Sequence, residues 1–357
     1  LLFLFAALCL YRLIYLIHEN KILASIGFLL LILQPLIYSH SFFNSKDLPF
    51  LSFFIIVFYL SARAFKNKTV GNFILLGIGT GLLIGLRIMG IMIPLLIFFF
   101  LIIDTIKEKK FSQNLIFFIS FIISSLLFTY ISWPYLWEDP VNNFMAAYEN
   151  MSKFRFYSST MFNGEFVPTQ ETPWTFFPVW FLITNPILFL FFGLIGIILL
   201  IYSFVQKPLE FVTNTPLRNH LLLFTIFSGS IFMVIYQESV LYDQWRQLYY
   251  IYPSFVLLII FGLDKIRIKK LKTIAFSLIT IGLIFISIHS IHKYPLQHVY
   301  FNQFLDASSE EQIRKSWEMD YWGVSYYWAL KYILEHDHTD QITVAFDHLV
   351  GTENWKF

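Results

Sequence analysis

Charge is what this chain has least of. Of its 357 residues, 13% are charged, against about 25% in an ordinary soluble domain. The 25 basic and 23 acidic residues leave a formal net charge of +2, a balance that says little about partners; where the basic residues sit says more. A nucleic-acid-binding module, a disordered chain and a coiled coil are excluded together. Cysteine is as scarce: Cys9, inside an apolar run, is the single one, which excludes a disulfide framework. The glycines from Gly77 to Gly85 are followed by no Gly-Lys-Ser or Gly-Lys-Thr and preceded by no strand, so they form no phosphate loop. Gly-x-Ser-x-Gly and Cys/His pairs are absent as well. The nine histidines show no metal-ligand spacing, and Glu335-His336-Asp337-His338 reads as a polar turn after a helix. A leader with Met and a charged start is lacking too. Leu1 to Leu10 is already continuous apolar sequence, so the chain is expected to be a fragment that starts inside or just before a membrane helix.

Apolar bulk takes the place of charge. Hydrophobic residues make up 57% of the chain and aromatic ones 20%, with 43 phenylalanines. Apolar runs such as Ile91 to Ile103 recur at short intervals, the pattern of an all-α polytopic membrane protein. About ten membrane helices are expected, near 1–17, 22–38, 48–63, 73–86, 90–103, 113–132, 186–205, 219–236, 249–263 and 273–289. The stretch 73–103 reads either as one long tilted helix or as a hairpin turning at Arg87-Ile88-Met89-Gly90.

Basic residues gather in four loops: Arg63, Lys66 and Lys68; Lys107, Lys109 and Lys110; Lys207 and Arg218; and Lys265, Arg267, Lys269, Lys270 and Lys272. Placed in the cytoplasm by the positive-inside rule, these loops have the right helix parity only if 73–103 is a hairpin. Segments 39–47, 87–90, 133–173, 237–248 and 290–357 then share the extracytoplasmic side. The chain divides into a membrane domain at 1–289, including the long aromatic-rich loop 133–173, and an extracytoplasmic soluble tail at 290–357, expected to be cut short. Within the tail, Gly323 to Glu335 reads as a helix and Gln341 to Phe346 as a strand, a small α/β unit. Trp174 to Ile183 reads as a short interfacial helix.

Charged residues on the extracytoplasmic side are where chemistry is to be sought. Asp47, beside Lys46, lies where the helix at 48–63 begins; with Pro49 in the first turn it reads as an N-cap, and capping does not exclude chemistry. Arg87 closes the Gly-rich helix, either as a snorkelling arginine or as a fixed cation for an anionic headgroup. Arg246, in Tyr242-Asp243-Gln244-Trp245-Arg246-Gln247-Leu248, runs against the positive-inside bias. It suits an interfacial anchor or a phosphate ligand, since its planar fork matches phosphate oxygens. Fixed cations at a membrane surface favour departure of an anionic leaving group, and a carboxylate opposite them accepts a proton from a hydroxyl. Trp133, Tyr135 and Trp137 suit interfacial anchoring or stacking on a sugar or isoprenoid.

The order of these segments resembles a known family. Asn44-Ser45-Lys46-Asp47-Leu48-Pro49-Phe50 is similar to the loop-to-helix motif of GT-C membrane glycosyltransferases related to protein O-mannosyltransferases (glycosyltransferase family 39), and Gly81-Leu82-Leu83-Ile84-Gly85-Leu86-Arg87 to their Gly-rich helix ending in a basic residue, usually Lys. Ser132-Trp133-Pro134-Tyr135-Leu136-Trp137-Glu138-Asp139-Pro140 and Thr172-Pro173-Trp174 resemble segments of a bacterial branch with a long periplasmic loop. Tyr242 to Leu248 matches that branch's Trp-Arg-His-Leu motif with Gln247 in place of His; Tyr294-Pro295-Leu296-Gln297-His298-Val299-Tyr300-Phe301-Asn302 and Asp320-Tyr321-Trp322-Gly323 look like it too.

The resemblance implies a hexosyl or pentosyl transferase that moves a sugar from a polyprenyl-phosphate carrier to a lipid, glycan or protein acceptor. It implies a multi-pass protein of the bacterial inner membrane, with the site facing the periplasm. The main catalytic acid is expected upstream of Leu1. Asp47 would be a second acidic site residue, assisting the acceptor or a divalent metal (Mg or Mn). Arg87 would take the place of the basic residue near the donor phosphate; to it we add Arg246 and Lys46 as candidate phosphate contacts, and His40, Trp133, Tyr135 and Trp245 as candidate contacts to the sugar or lipid. The rival readings are a transporter or flippase, and a polymerase or ligase, of lipid-linked saccharides; inverted repeats would favour the flippase, and the sequence shows no internal repeat.

Overall fold

The computed structural model describes residues 1–152, 156–305, 309–337 and 341–343. The membrane core runs as α1 (Leu2–His18), α2 (Lys21–Ile32), α3 (Pro35–Phe43), α4 (Asp47–Lys66), α5 (Val70–Leu86), α6 (Met92–Glu108) and α7 (Phe111–Ser132). Within loop 133–173 the described residues carry α8 (Pro140–Ser152) and an antiparallel hairpin of β1 (Ser159–Phe162) and β2 (Glu165–Pro168). Then come α9 (Phe176–Ile183), α10 (Ile187–Gln206), α11 (Pro208–Thr213), α12 (Thr215–Tyr236), α13 (Tyr252–Lys265) and α14 (Lys269–His292), and in the tail α15 (Glu310–Ser316) and α16 (Tyr326–His336).

Seven stretches among the described residues are long and apolar enough to cross a membrane, among them Ile88–Glu108, which holds α6, and Arg246–Lys265, which holds α13; the bent pair α2–α3 would make an eighth. The helices α1 and α5 are apolar but shorter, at 17 residues each. Each of the ten expected helices therefore has a counterpart. The protein is an all-α, multi-pass integral membrane protein. Where the spans lie in the bundle follows from what they bury. The α13 span is 89% buried and forms the centre, whereas α7, α10 and α14 are each 28% buried and turn apolar side chains outward, as lipid-facing helices do.

Two local features shape the site. The expected helix 22–38 breaks at Gln34-Pro35, where α2 and α3 meet at 63°. Pro35 supplies no N–H and pushes the preceding residue into extended backbone; Gln34 has ψ 117°, and its Oε1 caps α3 by accepting from Ile37 N at 2.6 Å. The second feature is the turn in 73–103. Lys68, just before α5, pairs with Asp104 (2.6 Å) and Glu108 (2.7 Å) near the end of α6. The two helices are thus an antiparallel hairpin, turning through Ile88–Ile91.

The same pairings sort the chain ends. Arg218 reaches Asp104 (2.9 Å) and His18 reaches Asp264 (3.2 Å), so His18, Lys68, Asp104, Arg218 and Asp264 lie at one end of the bundle. The segments around 40–47, 87, 242–247, 298 and 320 meet at the other end. There the hairpin and the tail are tied together: Phe162 bridges to Trp317, Gly164 N donates to Ser316 O at 2.9 Å, and Thr160 Oγ1 donates to Glu318 at 2.7 Å. The expected tail helix is α16. Of the strand expected at 341–346, residues 344–346 lie outside the described residues, and 341–343 are in no strand.

Candidate active site

The N-terminal turn of α4 is organised by Asn44. Its Oδ1 accepts from the backbone N–H of Lys46 (3.1 Å) and Asp47 (2.8 Å), satisfying donors that a helix start leaves free. Asp47 is therefore not the cap that its position suggests: it is the first helical residue, and its carboxylate is taken up by two arginines. Oδ1 bonds Arg87 Nη2, and Oδ2 accepts from Arg246 Nη1 (2.9 Å) and Asn44 Nδ2 (2.7 Å). A carboxylate whose side chain is 1% exposed thus holds two guanidinium groups 40 and 199 residues away in sequence. Burying an ion is tolerable only with such pairing and full hydrogen bonding.

Each arginine is held a second time. Arg246 Nη2 and Nε reach Asp243 Oδ2 at 2.8 and 3.0 Å, and its guanidinium lies over the rings of Tyr242 (4.7 Å) and Trp322 (5.8 Å). Asp243 and Gln244 take left-handed backbone, φ 52° and 63°, a conformation unusual outside glycine. It turns the chain just before Arg246. Burial and the neighbouring Asp47 push the Asp243 carboxyl up, although Arg246 pulls it down. Arg87 lies over the Phe50 ring (5.6 Å) and donates to Gln247 O (3.4 Å). Its side chain is 25% exposed against 10% for Arg246, so Arg87 is the more open cation.

A hydrogen-bond chain runs from this centre to the tail. Because Asn44 Oδ1 is occupied by backbone donors, its Nδ2 is fixed as the donor to Asp47 and to His40 Nδ1 (2.9 Å). His40 Nδ1 then accepts, which assigns the ring hydrogen to Nε2, facing Tyr321 Oη at 2.9 Å. Next to it, His298 Nε2 meets Asp320 Oδ1 (2.7 Å) and Nδ1 meets Ser39 Oγ (3.3 Å). Burial raises the Asp320 carboxyl, but His298 and the Ser325 N–H outweigh it and bring it down to about 2. Beyond the centre, Glu318 is pushed up to about 7 by burial and by Asp243.

The structure brings together Asp47, Arg87, Arg246 and His40. It leaves Lys46 exposed, with only its backbone N–H tied to Asn44. It does not bring in the aromatic candidates. Trp245 is fully buried, with Nε1 on Thr184 Oγ1 (2.8 Å) and its ring against Tyr249; it is a core residue with no face for a sugar or lipid. Trp133 packs beside Phe144, and Tyr135 is 53% exposed; neither shares a hydrogen bond or ring contact with Asp47, Arg87 or Arg246. The expected metal at Asp47 does not fit. Both carboxylate oxygens meet guanidinium groups, and no three His, Cys, Asp or Glu side chains gather into a ligand set among the described residues. Sequence reasoning assigned no role to Asn44, Asp243, Glu318 or Tyr321. Asp243, three residues before Arg246, carried the one local signal, an i,i+3 charge pair.

Compared with known proteins, residues 1–133 match the family model described as dolichyl-phosphate-mannose-protein mannosyltransferase. No curated protein and no solved structure matches the chain. The matched region contains Asp47 and Arg87, and Arg246 reaches the same carboxylate from outside it. Residues 1–133, rather more than a third of the chain, are thus similar to the dolichyl-phosphate-mannose-protein mannosyltransferase family, whose members are membrane glycosyltransferases of the GT-C type.

Proposed function

We propose that the chain transfers a sugar from a polyprenyl-phosphate donor to an acceptor, at the bundle end where Asp47, Arg87 and Arg246 meet, and that this end faces away from the cytoplasm. The observation that carries the reading is the convergence of two arginines from separate parts of the chain on one buried carboxylate. Each guanidinium has five N–H donors. The bonds found use three on Arg246 and two on Arg87, so both keep donors for phosphate oxygens. When the anomeric C–O bond breaks, negative charge grows on the departing phosphate, and cations already held in place stabilise it without reorganising. Asp47 and Asp243 act here as positioning residues, because both oxygens of Asp47 and Oδ2 of Asp243 are engaged by the arginines. The acceptor's proton then goes to another carboxylate, in keeping with the main acid that the resemblance implies. The bacterial branch, with an inner-membrane location, is supported by the loop and tail motifs.

The test is transfer of radiolabelled sugar from candidate polyprenyl-phosphate donors in membranes. Arg87→Ala and Arg246→Ala should each lower transfer far more than protein abundance. Full transfer by both variants would overturn the reading. The broken α2–α3 pair is the feature a flippase reading would use; label crossing the bilayer without covalent transfer would favour it.

A further inference from the structure

At the site end of the bundle a cleft of about 380 Å³ opens between the segment 170–174, the start of α9 and the outer end of α12. One wall carries Glu171, Trp174 and Phe177, the other Glu238 and Ser239. Trp174 is 68% exposed and stacks on no other ring among the described residues. Phe177 is buried beneath. Glu238 has φ 48°, and Ser239 N donates back to Val234 O (3.0 Å), so the chain turns sharply off α12 and fixes Glu238 at the cleft. Neither Glu171 nor Glu238 has a cationic partner among the described residues.

The cleft is coupled to the arginine centre through consecutive contacts. Gln170, on its rim, donates to the Phe156 carbonyl; the Phe156 ring stacks on Tyr242 at 4.2 Å; and Tyr242 carries the Arg246 guanidinium at 4.7 Å.

An open aromatic face, an apolar floor and a few hydrogen-bonding groups are how proteins hold small amphipathic rings. Two unpaired carboxylates repel a phosphate, whether of the donor or of a lipid headgroup, and accept strongly from hydroxyl or ammonium groups. We propose that this cleft is the subsite for a saccharide acceptor. It holds a neutral or amino-bearing sugar ring against Trp174, with Glu171 and Glu238 accepting its hydrogen bonds, while the donor phosphate stays with Arg87 and Arg246. The acceptor role rests on the transfer reading; sugar binding does not.

Ligand-observed saturation-transfer NMR on the chain in lipid nanodiscs separates the two. The probes are glucosamine, methyl glucoside and glucose 6-phosphate. The first two should bind and the phosphate should not. Trp174→Ala, an exposed position, should weaken both by about tenfold, a loss of about 1.4 kcal/mol, and Glu238→Gln should weaken glucosamine more than methyl glucoside. No saturation transfer to the unaltered chain, equal binding by Trp174→Ala, or preferred binding of the phosphate would each overturn the cleft as a sugar site. In transfer assays with a glycan acceptor, Trp174→Ala should raise the acceptor KM by about tenfold and leave the donor KM unchanged; a raised donor KM instead would overturn the acceptor assignment. Failure of transfer from every donor would count against the transfer reading, while the NMR result would still decide the cleft.

Discussion

At the scale of single residues, Asp47 illustrates how position in sequence and role in the fold separate. An aspartate ahead of a proline in a first helical turn is ordinary capping chemistry, yet Asn44 supplies the cap and releases the Asp47 carboxylate to the arginines. Asn44→Ala should therefore cost about 0.5–2 kcal/mol as a lost cap, and should also free His40 from its donor. Asp47→Asn should leave the helix start intact but strand two guanidinium groups with Asp243 as the remaining close counter-charge. Removing one partner of a buried pair is costly, on the order of 3–5 kcal/mol when nothing relaxes; the exposure of Arg87 brings the expectation to about 1–3 kcal/mol. The decisive measurement is a double-mutant cycle of Asp47→Asn with Arg87→Gln, read by chemical unfolding in detergent. The double variant should be more stable than the sum of the single losses predicts, by about 1 kcal/mol or more. Additive losses would mean that the two side chains do not sense each other.

At the scale of elements, the placement of Arg87 depends on how closely α5 approaches α7. A Cβ built on Gly81 would lie 2.5 Å from the Ser125 carbonyl oxygen and 2.8 Å from Thr129 N, both backbone atoms that cannot rotate aside. Gly81→Ala should force the helices apart, destabilise by about 1–3 kcal/mol, and move Arg87 relative to Asp47, so that transfer falls as well. Gly71, on the same helix, meets nothing within 4 Å. Gly71→Ala should be neutral or stabilise by up to about 1 kcal/mol through helix propensity, which makes it the control.

The tail is held by a different device. Glu318 accepts from Thr160 of the hairpin while sitting near Asp243 and Arg246. Its carboxyl is raised from 4.5 to about 7, so the folded state binds its proton more tightly than the unfolded chain does. The stability associated with the protonated form is full below pH 4.5 and is lost as pH rises through about 7. Glu318→Gln should remove that slope and leave the variant more stable than the parent at pH 8, by on the order of 1–3 kcal/mol. Thermal unfolding across that pH window checks it, and an unchanged slope would show that Glu318 is ionised in the folded state throughout.

At the scale of the whole molecule, what could be read from the sequence was what lipid and water dictate. The apolar runs placed ten helices because an apolar span has one stable solution in a bilayer, and the lysine loops gave the parity that makes 73–103 a hairpin, which Lys68 and Glu108 display. Arg246 stood out because it runs against the positive-inside bias, and Arg87 because it closes the Gly-rich helix. Contacts between distant segments left no local trace. Nothing in the pattern of Ser39 to Asn44 announces that Tyr321 reaches His40, or that Trp245 turns into the core while its neighbour Arg246 turns to Asp47. Sidedness can be tested on the same logic. In a background with Cys9→Ser, single cysteines at the exposed positions Ser45, Glu165 and Gln312 mark the site end, and at Lys110 and Lys270 the opposite end. An impermeant maleimide applied to intact cells should label the first three and reach the last two only after permeabilisation. Labelling of Ser45 and Gln312 from opposite faces would contradict the joining of tail and core through Tyr321 and His40. Labelling of only the 110 and 270 positions would keep the fold but turn it over, placing the arginine centre in the cytoplasm and removing the case for transfer outside it.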